Sequence, residues 1–530
     1  MSLHGKSILA GALGQTGGKI FRAENPATSE RLEPDFHEAS DTEVSDALDA
    51  AATAFATYRA ISVADRAKFL ETIATEIEAL GDALIQRANA ETGLPIARIT
   101  GERARTCGQL RLFAQVVREG SWVDARIDPA LPDRQPLPRP DLRRMLLPLG
   151  PVVVFGSSNF PLAFSAAGGD TASAFAAGNT VVVKAHRAHP GTAELVGGAI
   201  TRAVAACGLP KGTFSLVHGG GSTVGIAMVK HPVTAAVGFT GSTYAGRALM
   251  DAAASRPHPI PVFTEMSSMN PLFILPGAQK ERAAAIATGL LGSFTMGVGQ
   301  FCTKPGLILA LRGPDTDTFL AKLGEAVRGA ACATMLTSGI RDAFNENRNK
   351  VTSVPGVESL GTATAAADAK ATQGQPSVST TTAENFLKHP ELATEAFGPF
   401  TLVVIADKFE DFIKCAESLE GQLTATLHGT PDDLATVQPL LAVLEQKAGR
   451  VLVNGFPTGV EVCPSMNHGG PYPATSDTRF TSVGTAAMLR FARPVCYQNL
   501  PDSLLPEQLK NKNPLGIMRL VNSQLTRDAI

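Results

Sequence analysis

Two kinds of hydrophobic pattern divide the chain. Between residues 40 and 118 apolar positions fall at helical steps. Phe69, Leu70, Ile73, Ile77, Leu80 and Leu84 make one amphipathic stripe, with Ser62 and Asp65 placed as its start cap. Gly93 and Pro95 end that run, and a second helix is predicted through Arg105, Leu110, Leu112 and Val116. From residue 151 the pattern changes to short β-branched runs. These are 151–155, 180–183, 213–217 and 235–239, separated by Ala-rich helical segments. That alternation predicts a parallel sheet covered on both faces. A second set follows at 271–275, 306–311, 400–405 and 450–453.

Three segments fall outside the alternation. Residues 128–148 are rich in Pro and Arg and end in Met145-Leu146-Leu147, which predicts a hairpin leaving the main body. Residues 357–382 are rich in Ala, Thr, Ser and Gly and read as a surface excursion. The tail after Pro501 is polar, with one apolar island at 515–521 that is expected to dock on another element.

Composition narrows the function classes. The 530 residues are 44% hydrophobic and 18% charged with a net charge of −2, a soluble globular balance without the basic excess of a nucleic-acid binder. No apolar run is long enough to span a bilayer. The patch within residues 1–14 is weaker than a secretory core, so a cytoplasmic start is expected. Seven cysteines, at 107, 207, 302, 332, 415, 463 and 496, form no CxxC and no cluster. This fits a reducing compartment and predicts neither a disulfide framework nor a metal site. The 50 glycines and 35 prolines suit many tight turns between elements.

The candidate chemistry lies at the ends of the runs. Gly241-Ser-Thr-Tyr-Ala-Gly246 follows a predicted strand and opens a helix, where backbone N–H groups suit a pyrophosphate. An ordinary strand–helix turn has the same look, and the spacing is not GxGxxG. Cys302 lies between glycines in Gly299-Gln-Phe-Cys-Thr-Lys-Pro-Gly306, beside Lys304 and off any apolar stripe. A lone Cys is most often a small buried hydrophobe, but this setting suits an exposed, activatable thiol. Glu265 ends the apolar run Val262-Phe-Thr-Glu265, and Asn159 sits in Gly156-Ser-Ser-Asn-Phe-Pro161 directly after a strand. A surface carboxylate and a turn residue are the plain readings of those two.

Taken together, GSSNFP, VVVKAH, FTGSTYAG, TEMSS-NP, GQFCTKPG and Glu395-Ala-Phe-Gly-Pro399 resemble the aldehyde dehydrogenase superfamily in order and spacing, over nearly the whole chain. Ser267-Ser268 replace the superfamily's usual glycine pair. With Asn467-His-Gly-Gly-Pro-Tyr-Pro473 and Arg493-Pro-Val-Cys-Tyr-Gln-Asn499, this variant resembles the NADP-dependent 2,5-dioxovalerate (α-ketoglutaric semialdehyde) dehydrogenase subgroup. The resemblance implies an α/β fold with three parts. A Rossmann-like cofactor domain would take residues 1–127 and 148–266, and an α/β catalytic domain 267–475. A small β bridging and oligomerisation element would take 128–147 and 485–530. It implies Cys302 as nucleophile, Glu265 as the base for thioester hydrolysis, and Asn159 with the Cys302 N–H as oxyanion donors. Lys184, Arg187, Gly241, Ser242, Gly246, Glu395 and Phe397 would hold the cofactor.

Arg187 stands where NAD-preferring relatives commonly carry Glu, so NADP is expected, with NAD used less efficiently. A semialdehyde carboxylate needs a cationic partner, for which Arg105 and Arg111 are candidates. A homodimer or homotetramer is expected, with no nucleic-acid or membrane partner and no metal. The expected reaction is oxidation of 2,5-dioxovalerate to 2-oxoglutarate. A broad or long-chain aldehyde dehydrogenase is the alternative, and an inactive binding protein of the same fold the reading from another class. Glu265 speaks against a CoA-acylating enzyme, and the presence of both Cys302 and Glu265 against an inactive one.

Overall fold

A computed structural model of the chain describes residues 3–530. Its first sheet runs in the spatial order Val262–Glu265, Ala236–Thr240, Val152–Phe155, Val181–Lys184, Phe214–Val217, all parallel, extended by two short antiparallel strands near the N-terminus. Val152, Val153, Val154 and Phe155 are all buried. At about 1.5–3 kcal/mol per buried side chain, such a strand is stable only with both faces covered. The first strand in sequence lies in the middle, and the order reverses on either side of it. Ligands of open α/β sheets bind at that crevice, outside the carboxyl ends of the strands.

Helices cover the faces. Ser62 caps Val63–Glu78 by accepting from Asp65 N, as its spacing suggests. The stripe through Leu84 is two helices rather than one. The chain turns at Leu80 and Gly81 (φ +55°) and restarts over Gly81–Thr92. Gly93 then ends that helix in the left-handed region at φ +66°, and Ile96–Glu119 follows.

The second sheet has the order Glu358–Thr362, Ser377–Thr382, Phe400–Ala406, Leu307–Leu311, Leu272–Ile274, Gln422–His428, Ala448–Val453. Only its first strand is antiparallel. Two strands depart from the sequence expectation. Residues 357–382 are not merely a surface excursion, since Ser377–Thr382 pairs along Phe400–Ala406 and is mostly buried. Gln422–His428, unpredicted, is an interior strand buried throughout.

The expected hairpin is present as Arg126–Asp128 and Leu142–Pro148. It joins Ala492–Gln498, Arg519–Val521 and Gln524–Thr526 in a five-stranded sheet, so the apolar island of the tail docks there. Among the described residues no helix is long and apolar enough to cross a membrane.

Candidate active site

The crevice of the first sheet faces the start of the second. Asn159 follows the Val152–Phe155 strand, Gly241 follows Ala236–Thr240, and Glu265 ends Val262–Glu265. The Cys302 loop arrives immediately before the Leu307–Leu311 strand. Its path depends on Gly299, at φ +68°, where a Cβ would lie 2.2 Å from Gly398 O. That close approach brings the Glu395–Pro399 segment against the Cys302 loop.

The loop is pinned from several directions. Asn270 Nδ2 donates to Cys302 O (2.9 Å) and Lys304 O (3.0 Å). Asn270 is itself held through Ser268 Oγ, Thr424 Oγ1 and the Gln422 side chain. Asn159 Nδ2 donates to Gln300 O at 3.1 Å. An amide nitrogen carries two hydrogens, so a second donor remains for an oxyanion. Arg98 lies between the Phe160 and Phe301 rings, 4.6 and 4.8 Å from their centroids, bracing the residues beside Asn159 and Cys302.

Cys302, His468 and Glu265 meet at the centre. Cys302 Sγ lies 3.3 Å from His468 Nε2 in hydrogen-bonding geometry, and Glu265 Oε1 lies 2.9 Å from the same nitrogen. Ser482 Oγ donates to the other oxygen, Glu265 Oε2. Burial opposes the Glu265 charge, but His468, Ser482 and the thiol outweigh it and bring the carboxyl below its usual range. Burial and the neighbouring Glu265 charge push the Cys302 thiol well up, against the pull of Arg105.

This corrects the expectation of an exposed thiol tuned by Lys304. Cys302 is half-buried, and Lys304 turns away, donating to Ala396 O and Phe400 O at 2.9 Å each. Burial lowers the Lys304 ammonium to about 8. The sequence also showed no ligand cluster, whereas the fold gathers sulfur, imidazole and carboxylate donors within 4.8 Å of one another. Such a set could hold a zinc-like cation, which would block the sulfur.

Glu395 lies beside this centre. Burial raises its carboxyl, with Lys304, Ser267 Oγ and Ser268 N working the other way. Ser267 and Ser268, the departure from the usual glycine pair, therefore both have work in the fold. Phe397 is half-buried on the same segment.

The remaining cofactor candidates follow other strands of the first sheet. Ser242 caps the Thr243–Ala254 helix by accepting from Ala245 N, so its hydroxyl is engaged. Gly246 is buried where a Cβ would meet Met266 Sδ at 2.5 Å. Lys184 ends its strand 6% exposed. Burial, then Arg187, lower its ammonium to about 8 against the opposing charge of Glu38. A buried ammonium whose charge is opposed by burial and by Arg187 fits a phosphate-bearing cofactor. Arg187 is not a free cation. It lies 4.6 Å over the Phe21 ring and 3.6 Å from Glu38 Oε1, both supplied by an unpredicted hairpin, Ile20–Asn25 with Glu30–His37, and the residue after it.

The two substrate candidates separate. Arg98, Glu102 and Arg105 follow one face of the Ile96–Glu119 helix toward the thiol. Arg105 Nη1 is buried without a hydrogen-bond partner. Arg111 faces the other way and forks Glu78 at 2.7 and 2.6 Å, about half exposed, which removes it from the site. Arg450 was not foreseen. Its charge reaches the sulfur, and its Nε is buried and unpartnered while its Nη atoms donate to Gly459 O and Pro457 O.

Comparisons with known proteins give the family and the fold. A model described as the aldehyde dehydrogenase family matches residues 14–473. Alpha-ketoglutaric semialdehyde dehydrogenase 2 of Azospirillum brasilense is 54% identical over 98% of this chain and 99% of its own. Alpha-ketoglutaric semialdehyde dehydrogenase of Acinetobacter baylyi is 48% identical over 93% of each. Among solved structures, gamma-glutamyl-gamma-aminobutyraldehyde dehydrogenase of Burkholderia cenocepacia superposes with a TM-score of 0.81 at 22% identity, over 94% of this chain and 97% of that one. An aldehyde dehydrogenase of Bacillus cereus gives 0.79 at 22%, over 94% and 96%. At those identities the structural likeness speaks to the fold.

Proposed function

The chain belongs to the aldehyde dehydrogenase family of NAD(P)-dependent enzymes, and from that premise we propose that it oxidises 2,5-dioxovalerate to 2-oxoglutarate with NADP preferred. The observation that carries the reaction type is Cys302 within 4.8 Å of Glu265 in a dry centre. The substrate reading draws on the two near-full-length relatives and on Arg105.

Cys302 sulfur adds to the aldehyde carbon, and the developing oxyanion is held by the Asn159 amide and the Cys302 N–H. Two such donors are worth about 3 kcal/mol each. When bound, NADP supplies the hydride acceptor. Glu265 then takes a proton from the water that cleaves the thioester. Lys184 and Arg187 hold the phosphates at the adenosine end, Gly241, Ser242 and Gly246 form the turn beneath the pyrophosphate, and Glu395 and Phe397 position the nicotinamide end. Residues 1–127 and 148–266 serve the cofactor, 267–475 the chemistry, and 128–147 with 485–530 the bridging sheet. The Ala492–Gln498 strand is an edge of that sheet, paired on one side only. A second copy of the chain covers it in a dimer or tetramer. Seven unbridged cysteines suit a cytoplasmic enzyme.

The test is NADPH and NADH formation over 2,5-dioxovalerate, other semialdehydes and hexanal, in wild type and Arg105→Met. The variant is expected to raise KM for the oxo-acid by about tenfold or more and leave hexanal unchanged, with Arg111→Met as the silent control. Equal effects on both aldehydes would remove the carboxylate argument.

A further inference from the structure

His468 stands at the junction of nucleophile and base, and the chemistry above makes no use of it. The Asn467–Pro473 run passes between the two large sheets in direct backbone contact. At Gly470 a Cβ would lie 2.1 Å from Gln422 O. The His468 N–H donates to Thr481 Oγ1 at 2.8 Å, and its carbonyl accepts from Ser482 N at 2.8 Å. The backbone is thereby held, and the residue is 1% exposed. Its Nε2 faces Cys302 Sγ at 3.3 Å, with Glu265 Oε1 2.9 Å from the same atom. Its Nδ1 is buried without a partner.

We propose that His468 is a catalytic residue whose Nε2 takes the Cys302 thiol proton as sulfur attacks and returns it when the thioester breaks. This rests on Cys302 being the nucleophile. The S–H bond breaks, its proton passing to Nε2 while the electron pair forms the S–C bond to the aldehyde carbon. That carbon is oxidised as its hydride passes to the nicotinamide oxidant of the proposed reaction, which leaves a thioester. Water then adds, giving one proton to Glu265. The C–S bond breaks, sulfur keeps the pair, and Nε2 restores its proton. Glu265 releases its proton to solvent, and the product acid loses its own. One aldehyde and one water thus become one carboxylate and two protons, with one hydride on the oxidant.

Two features favour this role. A thiol held protonated by burial and by a carboxylate presents little thiolate near neutrality, so a base in contact must act during the attack. The imidazolium formed lies against Glu265, the charged group that stabilises it. The other charges that reach the sulfur are Arg105 and Arg450, which favour its anion, and Glu395, which opposes it.

The experiment is alkylation of Cys302 by iodoacetamide in the full chain without substrate, followed by peptide mass spectrometry from about pH 5 to about pH 10. It is run on wild type, His468→Gln and Glu265→Gln, and it requires no turnover. Wild-type Cys302 is expected to be alkylated already at neutral pH, below the range in which a free thiol ionises. His468→Gln should be about tenfold slower at neutral pH and recover only above about pH 8.5. Equal profiles for wild type and His468→Gln would overturn the role, as would a shift seen in Glu265→Gln alone. If His468→Gln does not fold, the wild-type curve decides, because a rise confined to the thiol range overturns the proposal. Failure here with a normal thioester at Cys302 removes His468 alone; absence of any thioester removes the reaction reading itself.

Discussion

The thiol centre and the Arg187 rim of the crevice use charge in opposite ways. At the centre, Glu265 and His468 are 3% and 1% exposed, with Ser482 Oγ donating to Glu265 Oε2 and His468 Nε2 2.9 Å from Glu265 Oε1. At the rim, the Arg187 side chain is 41% exposed, shared between an aromatic face and Glu38. Electrostatic contacts in a dry, fixed site are strong and insensitive to salt, whereas a rim charge is screened and easily replaced. Chemistry at the thiol should therefore fail in steps of orders of magnitude, and cofactor choice should shift by about tenfold.

The largest effect is expected from Cys302→Ser. Aldehyde oxidation should fall by more than about a thousandfold while NADP binding persists, because a serine hydroxyl is far less acidic than a thiol and a much weaker nucleophile. Turnover and NADP affinity measured on the same preparation check this, and retained turnover above about a tenth would contradict it. Arg187→Glu should cut the NADP-over-NAD lead in kcat/KM by about tenfold, and rising salt should erode the wild-type lead. A wild type favouring NAD would break the comparison at its outer pole.

A smaller effect follows from Lys184. Its ammonium is lowered to about 8, so in the free protein it loses its charge as pH rises through that value. A bound phosphate favours the charged form and moves the loss upward. NADP affinity should therefore fall as pH rises above about 8, and Lys184→Gln should flatten that limb. Titration of NADP affinity against pH measures it. An unchanged slope in the variant would remove Lys184 from the phosphate site.

The sequence made the parallel strands of the first sheet legible because their β-branched runs are buried on both faces. Gln422–His428 escaped because one of its two buried faces, Gln422, Thr424, Thr426 and His428, is polar. Gln422 accepts from Ser268 Oγ, Met269 N and Asn270 N, and Thr424 donates to Asn270. Ser377–Thr382 escaped for the same compositional reason. Periodicity measures transfer from water, and a polar residue satisfied inside a sheet gives no such signal. Cys302, Glu265 and Asn159 were legible as a set through six ordered motifs, and the fold gathers Cys302 and Glu265 and sets Asn159 against the Cys302 loop. His468 was visible only as a letter within a Gly/Pro-rich run. Its position depends on a segment 166 residues from Cys302 in sequence, which no local pattern encodes. Lys304 misled because adjacency in sequence at a sharp loop says little about direction, and Arg111 because two arginines on one helix can face opposite ways.

The account turns on a thioester at Cys302 that Glu265 is needed to resolve. Glu265→Gln mixed with NADP and 2,5-dioxovalerate, then quenched and digested, tests this directly. The expected result is an NADPH burst close to one per site, an acyl adduct on the Cys302 peptide, and little turnover afterwards. Steady turnover at the wild-type rate without the adduct, or an adduct on any other cysteine, would contradict the account.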